Sequence, residues 1–429
     1  MRKKLKKLQA RKKALGSNPL IVGIDIGSEK HAAAFLDKRG ELLYKIKRID
    51  NTRAGFDYLL RKIKDTKRRY KLGKVHVGFE PTGHYWRNIV YFLDQRGMAV
   101  HFIKTTLLKH QRELDDSSQS KNDDRDAIEL GMLLREGKYV ESDIPRGIYH
   151  DLRSLGKHRA QLMGGKTATL QRLGVLLDTY MPGLAKIFWS LKSKGLRLLL
   201  RRAPFAQDID GLSDQELRGI ILKGSRRRGG IKEKVLGIRS VCHSEIGLEP
   251  SASSYIELGS YLDQLDLYER ELKVIEDQMG EVIFGNEFCE LLLSIPGIGV
   301  MSVATFLGEL GNPGNFRDSG EIVSFCGLDP SERSSGKYRS GFRISKRGRY
   351  LIRTILYYMA IRVVRWNKRF KSWYERKRRQ GNLRRNSCLI IVCIKLVRII
   401  FAMFRDRKPF NSSYIKPQCI KLKLLPKAA

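Results

Sequence analysis

Along the chain, hydrophobic and polar positions first alternate in short runs and then settle into long helical periods. Leu20-Ile-Val-Gly-Ile-Asp-Ile-Gly27 is an apolar run carrying one carboxylate, followed by His31–Asp37 and Leu42–Ile49, which a Lys38-Arg39-Gly40 turn joins. Runs of this length, bounded by turn residues, predict three strands. Thr52–Asp65 switches to helical spacing, with Phe56, Leu59, Leu60 and Ile63 on one face. Val75–Phe79 and Ala99–Ile103 read as further strands, and Tyr85–Gln95, Thr106–Leu114 and Asp123–Glu136 as helices. Three strands, helix, strand, helix, strand, helix is the order of an α/β RNase H-like (RuvC-like) domain.

Beyond residue 148 the periods lengthen. Leu152–Tyr180 and Tyr255–Val282 place apolar residues at three- and four-residue steps, and Gly224-Ser-Arg-Arg-Arg-Gly-Gly230 breaks the stretch between them. This pattern predicts a helical, coiled-coil assembly region, though a plain helical bundle satisfies it equally. From Leu291 the run Leu291-Leu-Leu-Ser-Ile-Pro-Gly-Ile-Gly299 leads into Ser302–Leu310, which reads as helix, tight glycine turn, helix. Gly297 and Gly299 in such a turn would either present amides to a phosphate or simply connect two packed helices. Phe325-Cys-Gly-Leu-Asp-Pro330, a polar loop and a series of basic helices follow. The apolar run Cys388–Phe404 contains Lys395 and Arg398 and is short for a bilayer span, so a buried or partner-facing helix is expected, with no membrane contact.

The expected organisation is a flexible basic arm (1–18), the α/β domain (19–147), the helical region (148–286), a mostly α-helical C-terminal domain (287–410) and a basic tail (411–429). A length of 429 residues suits such a multi-domain chain.

Charge narrows the partners. Lys and Arg number 83 against 45 Asp and Glu, a net charge of +38. An excess of that size repels itself unless a polyanion neutralises it; nucleic acid is the expected polyanion, and a membrane surface would also attract this charge, so composition alone does not decide between them. From Arg333 onward there are 28 basic residues against two acidic ones, Glu375 and Asp406, and the first thirteen residues hold eight basic and no acidic ones. Asp115–Asp126 inverts the trend with five Asp. A basic body with one acidic pocket suits metal-assisted chemistry on phosphates. The six cysteines are scattered without a CxxC pair, which signals neither a zinc site nor a disulfide framework. The basic N-terminus lacks a following apolar run, so no signal peptide is expected, and a cytoplasmic, nucleoid-associated location fits.

The candidate chemistry lies in the carboxylates. Asp25 interrupts an apolar strand, where an ionised group is costly without a positive partner. Glu80 ends a strand and is stopped by Pro81; Asp123 and Asp126 stand three apart at a helix start and share a face. In an RNase H-like sheet these elements meet at one edge, so the four residues would hold one or two Mg²⁺ ions for in-line phosphoryl displacement. Each has a plainer alternative. Asp25 could open a turn, Glu80 could be a solvated strand end, and Asp123 could cap its helix. Asp124 is expected outside the site, and Asp115 and Asp116 as loop charges.

Three segments together, Gly23-Ile-Asp25-Ile-Gly27-Ser-Glu-Lys-His31, Glu80-Pro-Thr-Gly83 and Lys121-Asn-Asp123-Asp-Arg-Asp126-Ala127, resemble the DEDD transposase domain of bridge-RNA-guided insertion-sequence recombinases. Ile295-Pro-Gly-Ile-Gly299, Phe325-Cys-Gly-Leu-Asp-Pro330, Ser334-Ser-Gly336, Ile344-Ser-Lys-Arg-Gly348 and Arg353 resemble that family's second domain. The resemblance covers roughly residues 20–365; the N-terminal arm and the tail beyond about 410 fall outside it. The family has Thr or Ser where this chain has Asn122.

The resemblance implies a catalytic serine in the second domain, at Ser335, with Ser334 the neighbouring alternative. A lone loop serine is ordinarily a turn residue. Here Arg333, Lys337, Arg339, Arg343, Lys346 and Arg347 surround it and would grip the scissile phosphate. The implied reaction is Mg²⁺-dependent DNA strand cleavage and rejoining through a serine-linked DNA intermediate. Its implied partners are donor and target DNA, a structured non-coding guide RNA and further copies of the chain, as a dimer or tetramer. Two alternatives keep their place: a RuvC-like junction-resolving nuclease that uses water, and a non-enzymatic nucleic-acid scaffold. The aromatic and basic segment Tyr357-Tyr358, Trp366–Phe370 and Trp373-Tyr374 adds a candidate stacking surface.

Overall fold

A computed structural model of the chain describes residues 2–412 except 82, 116–121, 142–143, 225–228, 245, 332–333, 336–337, 340–342 and 382. For 2–4, 7, 112–115, 141, 331, 334–335, 338–339, 343 and 381 it describes the backbone alone. Contacts divide the chain into two compact units, Met1–Ile144 and Pro145–Ala429.

The first unit opens with α1 (Arg2–Ala14) and is built on β1 (Leu20–Asp25), β2 (Lys30–Leu36), β3 (Lys47–Asp50), α2 (Arg53–Arg69), β4 (Val75–Phe79), α3 (Trp86–Asp94), β5 (Ala99–Phe102), α4 (Thr105–Asp115), α5 (Asp123–Arg135) and β6 (Val140–Glu141). The strands form one sheet in the order β3-β2-β1-β4-β5-β6. The β1–β2 and β2–β3 pairs are antiparallel, whereas β4 and β5 run parallel to β1. One face packs on a core of Val22, Ile24, Phe35, Leu59, Ile63, Val77, Phe79 and Val90. Helix α5 covers the other face so closely that a Cβ on Gly23 of β1 would overlap the Ala127 carbonyl oxygen.

Three expectations change here. The N-terminal arm, expected to be flexible, is helix α1, followed by the buried Leu15. Tyr139 donates its hydroxyl to the Arg11 carbonyl (3.3 Å) and lies under the Arg11 guanidinium. The strand expected over Leu42–Ile49 is confined to Lys47–Asp50 plus an isolated bridge at Leu42. Between them the chain bends so that Tyr44 packs edge-on against Phe35 and Tyr70, and the aromatic contacts replace ladder pairing. The edge strand β6 was not foreseen, since two residues carry no readable period.

The second unit contains α6 (Ile148–Tyr180), α7 (Leu184–Ile187), α8 (Lys194–Arg202), α9 (Ala206–Asp210), α10 (Asp214–Gly224), α11 (Ile231–Cys242), α12 (Ala252–Ile283), α13 (Glu287–Leu293), α14 (Val300–Leu310), α15 (Ser319–Phe325), α16 (Tyr350–Trp366), α17 (Lys368–Gly381) and α18 (Arg385–Asp406). Between α15 and α16 run the two-residue strands β7 (Pro330–Ser331), β8 (Ser334–Ser335), β9 (Tyr338–Arg339) and β10 (Arg343–Ile344).

The two long helices, α6 and α12, pack on each other within this chain. Arg159–Glu276, Lys166–Glu269 and Tyr180–Ser254 pair rising numbers on one helix with falling numbers on the other, so the helices are antiparallel. The short helices α7–α11 close one end of this hairpin over Leu173, Leu177, Leu196, Leu199 and Phe205. At the other end α14 lies on α6, where Arg153 donates to the Gly308 (2.9 Å) and Glu309 (3.2 Å) carbonyls. Helix α18 has the length and apolar composition of a membrane span, but Val392, Cys393, Leu396, Val397, Ile400 and Met403 belong to the core shared with α14 and α16. It therefore packs as the buried helix expected from its charged interruptions.

Candidate functional site

Two-residue periodicity aligns the acidic edge. Gly23 and Gly78 face α5, the former against Ala127 and the latter against Leu134. Asp25 and Glu80, each two residues further on, follow on the same face. Parallel pairing of Ile24 with Phe79 sets Asp25 beside Glu80 at the end of the sheet. Helix α5 starts over this edge, with Asp123 and Asp126 in its first turn. Asp126 is fully buried, whereas Asp123 is exposed.

The helix start explains a sequence difference. Asn122 is its N-cap: the side-chain oxygen accepts from the Asp124 amide (3.0 Å), and its carbonyl accepts from the Asp126 amide. Thr, Ser and Asn all cap helices, so Asn122 does the work of the Thr or Ser in the resembled family. Capping by Asn122 also frees Asp123 from that task.

A residue missed by sequence reasoning sits at this edge. Arg48 of β3 lies across from Ala32, which lies across from Asp25, giving one cross-strand row of Arg48, Ala32 and Asp25. The Arg48 guanidinium lies 3.3 Å from the Asp123 carboxylate and 2.6 Å from that of Asp124. Asp124, expected outside the site, thus shares a partner with Asp123. Among the described residues no three His, Cys, Asp or Glu side chains converge into a metal-holding group. The four carboxylates share an edge without closing on a common point. His31, next to Ala32 in β2, lies on the opposite face of the sheet, buried and stacked on Phe56, and burial lowers its pKa.

The serine region is a β-excursion between α15 and α16. Ser335 pairs with Tyr338 and Ser334 with Arg339, while Arg343 and Ile344 pair with Ser331 and Pro330. Ser335 is therefore the last residue of β8, paired with the first residue of β9. Arg333 and Lys337 lie outside the described residues, and for Ser334, Ser335, Arg339 and Arg343 only the backbone is described. The base of the excursion is firmly tied. Ser345 donates to Asp329 Oδ1 (2.7 Å), the Lys346 amide to the Gly327 carbonyl (3.1 Å), and Arg353 to the Cys326 (3.2 Å) and Gly348 (3.0 Å) carbonyls. Lys346 and Arg347 are exposed at this base, Lys346 with a left-handed φ of 53°.

The expected glycine turn joins α13 to α14. Gly297 has a φ of 90°, and a Cβ there would approach the Arg362 carbonyl (3.1 Å) and the Trp366 ring (2.9 Å), so the turn is seated on the end of α16. A Cβ on Gly299, by contrast, would meet nothing within 4 Å. Burial holds the described cysteines in the thiol form. Burial pushes the Cys289 and Cys393 thiols up to about 12 and that of Cys242 to about 11, and raises those of Cys326 and Cys388.

Comparison with known proteins gives these two regions a common context. The DEDD transposase model of IS110 matches residues 22–182, and the model of the transposase IS116/IS110/IS902 family matches residues 289–375. The chain carries IS110/IS116/IS902 family transposase domains. The first match contains Asp25, Glu80, Asp123 and Asp126, and the second contains Ser335 and the Gly297 turn. The chain is similar to the insertion element IS116 protein of Streptomyces clavuligerus, at 23% identity over 91% of this chain and 96% of that protein. It is also similar to the transposase for insertion sequence element IS1111A of Coxiella burnetii, at 24% identity over 80% of this chain and 78% of that protein. The transposase for IS1328 of Yersinia enterocolitica matches at 29% identity over 36% of this chain and 44% of its own.

Proposed function

We propose that this insertion-sequence transposase cuts and rejoins DNA with two sets of groups, a four-carboxylate metal site and the Ser335 hydroxyl. The observation that carries the proposal is the parallel register that sets Asp25 beside Glu80 on the sheet face where α5 begins with Asp123 and Asp126. The strand order, with its antiparallel first hairpin and parallel continuation, supports an RNase H-like reading of the first unit.

All four proposed donors are carboxylates, the chemistry that a hard divalent cation takes, and one of them, Asp123, already holds a positive group, the Arg48 guanidinium at 3.3 Å. Asp25, Glu80, Asp123 and Asp126 would hold Mg²⁺, which would polarise the scissile phosphate and offset charge that develops there. Ser335 attacks phosphorus and releases its hydroxyl proton to solvent, while the phosphorus–oxygen bond to the departing strand breaks and that oxygen takes up one proton, leaving a hydroxyl on that strand with no net proton change. The hydroxyl of an incoming strand then reverses the step, forming a new phosphodiester and freeing the serine. Lys346 and Arg347 at the excursion base, with Arg333, Lys337, Arg339 and Arg343 along it in sequence, supply the positive charge that the phosphate needs. Two duplexes must be joined, so the working form contains more than one copy of the chain. The resemblance adds a structured guide RNA, for which the net charge of +38 gives general support.

A divalent-ion titration of DNA cleavage tests the metal half. Cleavage that requires Mg²⁺ or Mn²⁺ and disappears in Asp25→Asn and Asp126→Asn, with folding unchanged by circular dichroism, supports the site. Equal cleavage in chelator removes it.

A further inference from the structure

Helix α16 carries a row of large aromatic side chains that the fold leaves uncovered. Tyr350, Tyr358 and Trp366 are 67%, 58% and 62% exposed. Their neighbours are accounted for differently: Tyr357 is half-buried and donates its hydroxyl to Asn386 (2.9 Å), and Phe370 and Trp373 of α17 are core residues. The structure thus corrects the candidate stacking surface, removing Phe370 and Trp373 from it and retaining Tyr358 and Trp366.

The row has a regular geometry. Steps of eight residues advance about 12 Å along a helix and rotate about 80° around it, so the three rings turn through about 160° over about 24 Å and cross the half of α16 opposite its buried Ile352, Leu356, Met359, Ala360 and Val363. Arg362 is exposed between Tyr358 and Trp366, and Arg365 lies 5.7 Å from the centre of the Trp366 ring. The ends of the row are also defined. Tyr350 follows directly on Gly348 and Arg349 at the base of the Ser335 excursion, where Arg349 is anchored to the Glu309 carbonyl (3.1 Å). Trp366 lies against the Gly297 turn. The next helix continues the charge, with Lys368, Arg369, Lys371, Arg378 and Arg379 exposed, and Glu375 is the one acidic residue in α16 and α17.

Three exposed rings in a strongly basic, nearly acid-free setting suit an occupant that has flat apolar faces and negative charge. Unpaired bases on a phosphodiester backbone have both, whereas a duplex hides its base faces in the stack. We infer that the exposed side of α16 is a track for single-stranded nucleic acid, running from the base of the serine excursion to the glycine turn. Tyr350, Tyr358 and Trp366 stack on bases, and Arg362 and Arg365 contact phosphates. This inference rests on the nucleic-acid reading of the second unit and adds the strandedness of the ligand and the residues that hold it.

Full-length protein is titrated with a fluorescent oligodeoxythymidylate, with single-stranded RNA of the same length, and with a DNA duplex. Tyr350→Ala and Tyr358→Ala lie away from the Gly297 turn, and Trp366→Phe keeps a ring there, so none of them depends on disturbing that turn. Each alanine variant is expected to weaken single-strand binding by about five- to 150-fold, the equivalent of roughly 1–3 kcal/mol per stacked base. Duplex binding should stay near wild type, and Trp366→Phe should retain most of its single-strand affinity. Arg362→Ala should instead lower the salt slope by about 0.7. Trp189→Ala, at an exposed tryptophan between α7 and α8, serves as the control and should bind normally. Equal losses for single strand and duplex would overturn the track, as would wild-type binding in Tyr358→Ala. A change in sedimentation of Tyr358→Ala without a change in binding would assign the row to a second copy of the chain instead. Absence of any nucleic-acid binding by the wild type would remove both the track and the reading beneath it, whereas intact DNA cleavage with unaltered variant binding would remove the track alone.

Discussion

Arg48 and the paired histidines hold the most informative single-residue contacts. Arg48 competes with any cation for Asp123, so Arg48→Gln should lower the divalent-ion concentration for half-maximal cleavage by about fivefold, the worth of an exposed ion pair near 1 kcal/mol. Asp126→Asn should reduce cleavage by more than about 100-fold, with Asp124→Asn close to wild type, because Asp126 is buried under the start of α5 whereas the Asp124 carboxylate is half-exposed and paired with the Arg48 guanidinium. In the first unit His76 Nδ1 lies 3.0 Å from His101 Nε2, and burial pushes their pKa values down to about 4 and about 3. The unfolded chain binds protons first, near pH 6.5, so stability is full above that pH and falls as pH drops towards 4. Thermal melts from pH 7 to pH 4 should show this loss, up to about 1.4 kcal/mol per pH unit for each histidine. His101→Phe should flatten the dependence. Of these contacts, the carboxylates were legible in the sequence because charge inside an apolar strand stands out. Arg48 was not, because its importance comes from the Ala32–Arg48 register, which joins segments that no local pattern links.

The elements follow local patterning where an element is long enough to show a period. β1, β2, β4, β5 and the amphipathic helices were readable for that reason, whereas the two-residue β6 and β7–β10 were not. Ser335 was legible only through resemblance, since nothing in a Ser-Ser-Gly sequence distinguishes a nucleophile from a turn. Aromatic residues over 350–374 could not be sorted in advance, because the chain starts a new helix after Asn367 and the buried face changes with it. The contact of α5 with β1 depends on Gly23, which leaves room for the Ala127 carbonyl. Gly23→Ala should therefore destabilise the first unit by about 3 kcal/mol and displace Asp123 and Asp126 from the edge. Urea unfolding and cleavage assays on the same variant check both effects. An unchanged midpoint with full activity would show that α5 is not held by this contact.

At the scale of the molecule, the first transposase match takes in the sheet edge and the second takes in the serine excursion, with a helical hairpin between them in the chain. The surplus of basic residues, a net charge of +38, predicts salt-sensitive phosphate contact. With six to ten such contacts, DNA binding should weaken by about 10³- to 10⁵-fold between 50 and 200 mM salt. The central claim is that Ser335 becomes joined to DNA. It is tested most directly by incubating the protein with donor and target DNA, Mg²⁺ and RNA transcribed from the flanks of the element, then separating covalent protein–DNA species under denaturing conditions. The account predicts an adduct that maps to Ser335 by mass spectrometry and is absent from Ser335→Ala. Cleavage without any adduct, retained in Ser335→Ala and lost in Asp25→Asn, would contradict it and leave a nuclease that uses water.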